Sequence, residues 1–66
     1  MSYYILYRDR DGEAHRRQPV GKWNTLADAE RIARRLADSG CTDVELYEER
    51  VVERLLRRFE SNGGTR

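Results

Sequence analysis

The stretch of residues 25–40 carries the clearest pattern of apolar and polar positions in the chain. Its apolar residues recur at steps of three and four, which places them on one face of an α-helix: Leu26, Ala29, Ile32, Ala33 and Leu36. Charged residues fill the opposite face. Thr25 suits the N-cap of this helix, and Gly40 suits the left-handed conformation that often follows a helix end. The segment is therefore predicted to be an amphipathic helix with one buried stripe.

The residues before this helix predict a β-hairpin. Ser2–Arg8 is rich in aromatic residues and apolar on both alternating faces, which is typical of a central strand. Asp-Gly at residues 11–12 is a strong hairpin-turn signal. Residues 13–20 are polar and contain Pro19, which cannot donate to a strand ladder. They are predicted to form a return strand at the edge of the sheet.

Two further elements are predicted after the helix. Residues 43–47 alternate between apolar and polar positions, as in a half-buried strand. Residues 48–59 return to helical spacing and predict a second amphipathic helix, whose stripe is Val51, Val52, Leu55, Leu56 and Phe59. The alternative is a third strand that continues to Val52.

Together these elements predict a single small α+β domain over residues 1–60. Its expected fold is β-β-α-β, with a three-stranded antiparallel sheet in the order 2-1-3, the helix of residues 25–40 on one face and the C-terminal amphipathic helix after it. Residues 61–66, SNGGTR, are expected to be a flexible tail.

Length and charge limit the classes of partner. A chain of 66 residues buries a small core, which favours stabilisation by a homodimer or by another protein. Thirteen basic and twelve acidic residues leave a net charge of +1, so nothing global attracts nucleic acid or an anionic membrane. The single cysteine excludes an internal disulfide and an all-cysteine metal site. With no signal peptide and no membrane-spanning run, a cytoplasmic protein is expected.

No catalytic, cofactor or metal site is predicted, and the chain is not expected to be an enzyme. His15 would need nearby partners to act as a base or a metal ligand. Asp9, Asp11 and Glu13 alternate across a turn without the spacing of a calcium loop. Cys41 follows a helix end, where the dipole disfavours a thiolate.

The aromatic residues and the second stripe supply candidates for a protein interface. Tyrosine and tryptophan are common at protein interfaces and under covering helices, and we favour these roles over base stacking. The stripe of residues 48–59 either covers the sheet or forms a self-association seam. The interface candidates are Tyr3, Tyr4, Tyr7, Trp23, Tyr47, Val52, Leu55, Leu56 and Phe59.

The basic residues around the hairpin supply the candidates for nucleic-acid contact: Arg8, Arg10, Arg16, Arg17 and Lys22. A two-stranded ribbon that carries arginines can enter a major groove or follow phosphates. However, four arginines against three acidic residues leave residues 8–17 with a net charge of only +1. A solvated hairpin is therefore the favoured interpretation.

The run YRDRDGE, followed by TLADAERIARRLADSG, resembles the AP2-like arm-type DNA-binding domain of phage tyrosine recombinases. In that family a Y-R-D-x-D-G turn joins basic strands that read DNA, and a helix beginning near T-x-x-E-A follows. The family places all three strands before the helix, whereas DVELY follows it here.

The chain also resembles small uncharacterised proteins of bacteriophages and high-GC bacteria that have a β-β-α-β layout and an ending such as D-V-E-L-Y-E. This resemblance implies a stand-alone accessory protein, located in the host cytoplasm if a phage encodes it, and does not imply its target.

Two hypotheses follow for function. The first is a small non-enzymatic interaction module, a homodimer, that binds and modulates a protein target as a phage or bacterial regulatory protein. The alternative is a DNA-binding module that uses the arginine-bearing hairpin.

Overall fold

The computed structural model describes residues 2–49 and 54–60, which form four strands and one α-helix. The elements are β1 (Ser2–Arg8), β2 (Ala14–Arg17), α1 (Leu26–Asp38), β3 (Thr42–Glu49) and β4 (Arg54–Phe59). A short 3-10 turn, Gly21–Trp23, joins β2 to α1. All neighbouring strands are antiparallel, in the order β2-β1-β3-β4. The protein is thus a small α+β fold.

The predicted three-stranded sheet and C-terminal helix are wrong, because residues 54–59 form a fourth strand paired with β3. Doublets such as Leu55-Leu56 fit a strand as well as a helix, so the local pattern does not decide between them. A strand here pairs the backbone groups that β3 would otherwise leave free at its edge. Val52 and the predicted tail, residues 61–66, lie outside the described residues.

Both ends of α1 are capped as predicted. The Thr25 hydroxyl accepts a hydrogen bond from the backbone N–H of Asp28 at 3.2 Å. At the other end the Cys41 N–H donates to the Leu36 carbonyl, and the Gly40 N–H donates to the Ala37 carbonyl. This pair of bonds requires a left-handed residue, and Gly40 has φ +101°.

The core lies between α1 and one face of the sheet. The helix contributes three fully buried alanines, Ala29, Ala33 and Ala37, whose small side chains let its backbone approach closely. Opposite them are apolar side chains from three strands: Ile5 of β1, Val44 and Leu46 of β3, and Phe59 of β4. The helix therefore packs on β1, β3 and β4.

Strand β2 has no such cover, and all four of its residues are exposed. His15 pairs with Tyr7, and Arg17 pairs with the core residue Ile5, so both lie on the helix side of the sheet. Four strands span about 14 Å between the outer strand axes, whereas one helix is about 10 Å wide. The helix side of β2 is therefore left open beside α1.

Candidate functional site

A groove follows α1 on the side of β2. It consists of two adjoining cavities of about 480 and 260 Å³, both lined by Ile32 and Arg35. We call it the α1–β2 groove and define it by Arg17, Trp23, Ile32, Arg35 and Leu36.

The floor of the α1–β2 groove is apolar. Ile32 and Leu36 are four residues apart, so they lie one above the other on the helix. Each is half-buried: it packs against the core and also faces the groove. These two side chains therefore mark the border where the core of the domain opens to solvent.

The charged residues that line the groove are Arg17 and Arg35, the ion pair of Arg31 with Asp28, and Asp38. Three arginines against two aspartates leave a net charge of +1, and the positive charge comes from two different elements. Arg17 belongs to β2 and Arg35 to α1, and both are exposed. Within residues 2–49 and 54–60, neither arginine makes an ion pair or a side-chain hydrogen bond. Arg31, by contrast, is ion-paired with Asp28 on the same helix. Arg17 and Arg35 are thus available to an external carboxylate.

Trp23 stands at one end of the groove and is 59% exposed. Two further exposed apolar side chains, Val20 and Leu26, come three residues before and after it. The Asn24 side chain holds this segment, because it accepts from the Tyr3 N–H at 2.8 Å and donates to a carbonyl of the preceding loop at 2.7 Å. The indole is therefore presented to solvent by a fixed piece of backbone.

The structure divides the predicted interface residues between the two faces of the sheet. Tyr4 and Tyr47 stack with ring centroids 5.2 Å apart on the face opposite α1. Tyr3 and Tyr7 are half-buried and pack against the core from the helix side. Of the predicted aromatics, Trp23 alone lines the groove.

The residues predicted as a second helical stripe are also separated. Phe59 is buried in the core, and Leu56 packs against it. Leu55 pairs with Tyr47 on the opposite face and is 40% exposed. Val52 is not among the described residues.

Most of the predicted nucleic-acid residues are engaged within the domain. Arg8 donates to the Gly12 carbonyl at 2.8 Å, and Arg10 donates to a carbonyl at the end of α1 at 3.0 Å. Arg16 lies 4.2 Å from the centre of the Tyr4 ring and is ion-paired with a glutamate of β3 at 3.2 Å. Because Arg16 and Arg17 are neighbours in a strand, they point to opposite faces.

Lys22, the fifth predicted cation, lies beside the groove. Its ammonium group is 5.2 Å from the centre of the Trp23 ring. It therefore adds positive charge at the same end of the groove as the exposed indole.

The hairpin turn gathers Asp9, Glu13 and His15, whose potential ligand atoms all lie within 4.8 Å of one another. His15 Nε2 is 2.8 Å from one Asp9 carboxylate oxygen, and the other oxygen accepts the backbone N–H groups of Asp11 and Glu13. The His15 contact, followed by the Glu13 N–H, holds the pKa of Asp9 below its ordinary value. Both Asp9 carboxylate oxygens therefore make hydrogen bonds within the hairpin and stabilise its turn.

The sequence contained a signal for part of the groove. Ile32 and Leu36 belong to the predicted helical stripe, but the stripe alone does not say which of its members face solvent. Arg35 gave no signal, since it is one of several arginines on the polar side of the helix.

Comparison with known proteins yields no match to any family model, curated protein or solved structure. Among the described residues, no helix has the length and apolar character needed to cross a membrane.

Proposed function

We propose that this chain is a small non-enzymatic interaction module that binds a protein target through the α1–β2 groove. The observation that carries the proposal is one groove with an apolar floor, an exposed Trp23 at one end, and two arginines, Arg17 and Arg35, that have no ion-pair partner among the described residues. Tryptophan and arginine are the residues that most often dominate the binding energy of protein interfaces. An exposed indole held by a fixed backbone also costs little conformational entropy when it binds.

The site suits binding because its parts belong to regular elements. Ile32, Arg35 and Leu36 lie on α1, and Arg17 lies on a strand of the sheet. A surface built on a helix and a strand keeps its shape when free, which reduces the cost of association. As a stand-alone accessory protein, which the resemblance implies, such a module would act by occupying a surface of its target.

The expected homodimer seam on residues 48–59 is not part of this proposal. Phe59 and Leu56 pack within the domain, so they are not available to a second copy without unfolding it. The DNA-binding alternative is also less favoured, since Arg8, Arg10 and Arg16 are held by partners in their own chain.

Selection from a displayed random-peptide library tests the proposal. Peptides enriched on the wild-type protein would be measured against Trp23→Ala and against Leu55→Ala by fluorescence anisotropy. Leu55 is a matched control because it is also a large exposed apolar residue, on the face opposite α1. We expect Trp23→Ala to weaken binding by about 10- to 30-fold, as for an interface hot spot, and Leu55→Ala to leave it unchanged.

The groove would be refuted as a protein-binding site if the enriched peptides bind equally well to Trp23→Ala, or if neither this library nor a library of helical peptides yields an enriched peptide. The same proteins would be mixed with a random DNA duplex at low salt in a mobility-shift assay. A shift that disappears in Arg8→Ala and Arg16→Ala would instead move the function to the DNA-binding alternative.

A further inference from the structure

The space beside α1 has the dimensions of a second helix. The helix packs mainly on β1 and β3, so an axis midway between them lies about 7 Å from β2. Packed helices lie about 8–10 Å apart, which places a neighbouring helix directly over β2. That is the part of the sheet whose helix-side residues, His15 and Arg17, are exposed.

The length of the groove supports the same occupant. Its lining runs from Asp28 in the first turn of α1 to the C-cap residue Ser39, a distance of about 17 Å at the rise of an α-helix. A partner helix of about three turns would cover it. The floor offers only Ile32 and Leu36, with Trp23 at one end, so a narrow apolar stripe is sufficient.

The charges in the groove indicate which residues flank the apolar stripe of the partner helix. Arg17 stands on the β2 side of the floor and Arg35 on the α1 side, and neither has a partner within the described ranges. A helix lying between them would meet a guanidinium on each side of its apolar stripe. Carboxylates are the side chains that match guanidinium groups in charge and in geometry.

We infer that the occupant of the α1–β2 groove is an acidic amphipathic α-helix of the partner protein, which lies alongside α1 and over β2. This inference rests on the proposed function, since it names the partner of the same site. The apolar stripe of the partner packs on Ile32, Leu36 and Trp23, and its flanking glutamates or aspartates pair with Arg17 and Arg35.

A displayed library of helical peptides tests the inference. Each peptide carries leucines at positions i, i+4 and i+7, and each flanking position is Glu, Gln or Lys. Selection on the wild-type protein is expected to enrich Glu over Lys by about tenfold or more at the flanks, because paired charges contribute and like charges repel. Trp23, the only tryptophan, reports binding through a blue shift of its fluorescence.

Charge reversal supplies the internal control. On the Arg17→Glu/Arg35→Glu variant the same library should enrich Lys instead of Glu, which a merely structural role of these arginines would not produce. Arg54→Glu changes one exposed arginine on β4, at the other edge of the sheet, and should keep the wild-type preference for Glu. Far-UV circular dichroism checks that each variant is folded.

The outcomes separate the two proposals. If random peptides bind in a Trp23-dependent way, but the helical library yields no binders or shows no preference for Glu, then the acidic helix is refuted and the groove remains a protein-binding site. If no peptide from either library depends on Trp23, both are refuted.

Discussion

Replacing Phe59 by alanine tests strand β4 and the core together. The Phe59 ring is only 4% exposed, and its residue pairs with the core residue Val44 across the sheet. The guanidinium groups of Arg34 and Arg57 lie 5.1 and 4.6 Å from the ring centre. Phe59→Ala therefore removes a buried ring and two cation–π contacts at once.

The expected loss is a large share of the total stability. Truncating a buried phenylalanine to alanine typically costs about 3–5 kcal/mol, which includes the cavity that remains. A domain of 66 residues has a free energy of unfolding of about 3–10 kcal/mol at the usual stability per residue. We expect Phe59→Ala to remove between about a third and all of this stability, and Phe59→Leu, which keeps a bulky apolar side chain, to cost about 1 kcal/mol.

Leu55→Ala is the matched comparison. A β-bulge in the pairing of β3 with β4 places Leu55 opposite Tyr47, on the other face of the sheet from Phe59. Since Leu55 is 40% exposed, its truncation should cost less than about 1 kcal/mol. In a helix, or in a strand without the bulge, residues four apart would share a face, and the two truncations would cause similar losses of stability.

Urea denaturation followed by far-UV circular dichroism measures these differences. For a small domain the denaturant slope is about 1 kcal/mol per molar urea, so Phe59→Leu should lower the midpoint by about 1 M. Equal losses for Leu55→Ala and Phe59→Ala would contradict the bulged strand and favour a helix or a strand without the bulge. A loss below about 1 kcal/mol for Phe59→Ala would show that the core is not built around this ring.

Three further predictions concern the caps of α1 and the hairpin turn. Thr25→Ala removes the N-cap and should lower the free energy of unfolding by about 1 kcal/mol, which calorimetry would show as a Tm lower by about 4–8 °C. Thr25→Ser keeps a capping hydroxyl and should retain most of this stability. Gly40→Ala forces a side chain into the left-handed region at φ +101° and should lower the free energy of unfolding, measured by urea denaturation, by about 1 kcal/mol. The pKa of Asp9 lies below its ordinary value of 3.8, so the ionised carboxylate stabilises the fold above that pH, and the contribution is lost as the pH falls through the lowered pKa. Asp9→Asn should therefore be less stable than the wild type at pH 6 and approach it as the pH falls below about 3.8; a gap that stays constant between pH 6 and pH 2.5 would contradict this.

The parts of the fold that could be predicted from the sequence are those decided by neighbours along the chain. The stripe and caps of α1 depend on residues within a few positions of one another. The central position of β1 was also predictable, because apolar residues on both of its faces require cover on both. Tyr4 and Ile5 are indeed buried on opposite faces of the sheet.

Strand β4 could not be predicted in this way, because its state depends on a distant partner. The segment from Arg54 to Phe59 contains the adjacent pair Leu55-Leu56, which fits the 3.6-residue period of a helix as well as the two-residue period of a strand. Only pairing with β3 decides between the two structures. Intrinsic propensity is weak enough for such pairing to override it.

The groove could not be predicted from the sequence for the same reason as β4, because it depends on pairing between segments that are distant along the chain. In the predicted three-stranded sheet the outer strand axes are about 10 Å apart, so one helix would cover the whole face, and Ile32 and Leu36 would be ordinary core residues. The fourth strand lies beyond β3 and adds the buried Phe59, on which α1 also packs. The helix thus packs over β1, β3 and β4 and leaves Arg17 of β2 uncovered. A groove beside α1 is therefore a consequence of the fourth strand, and the stability of β4 and binding at the groove should be linked.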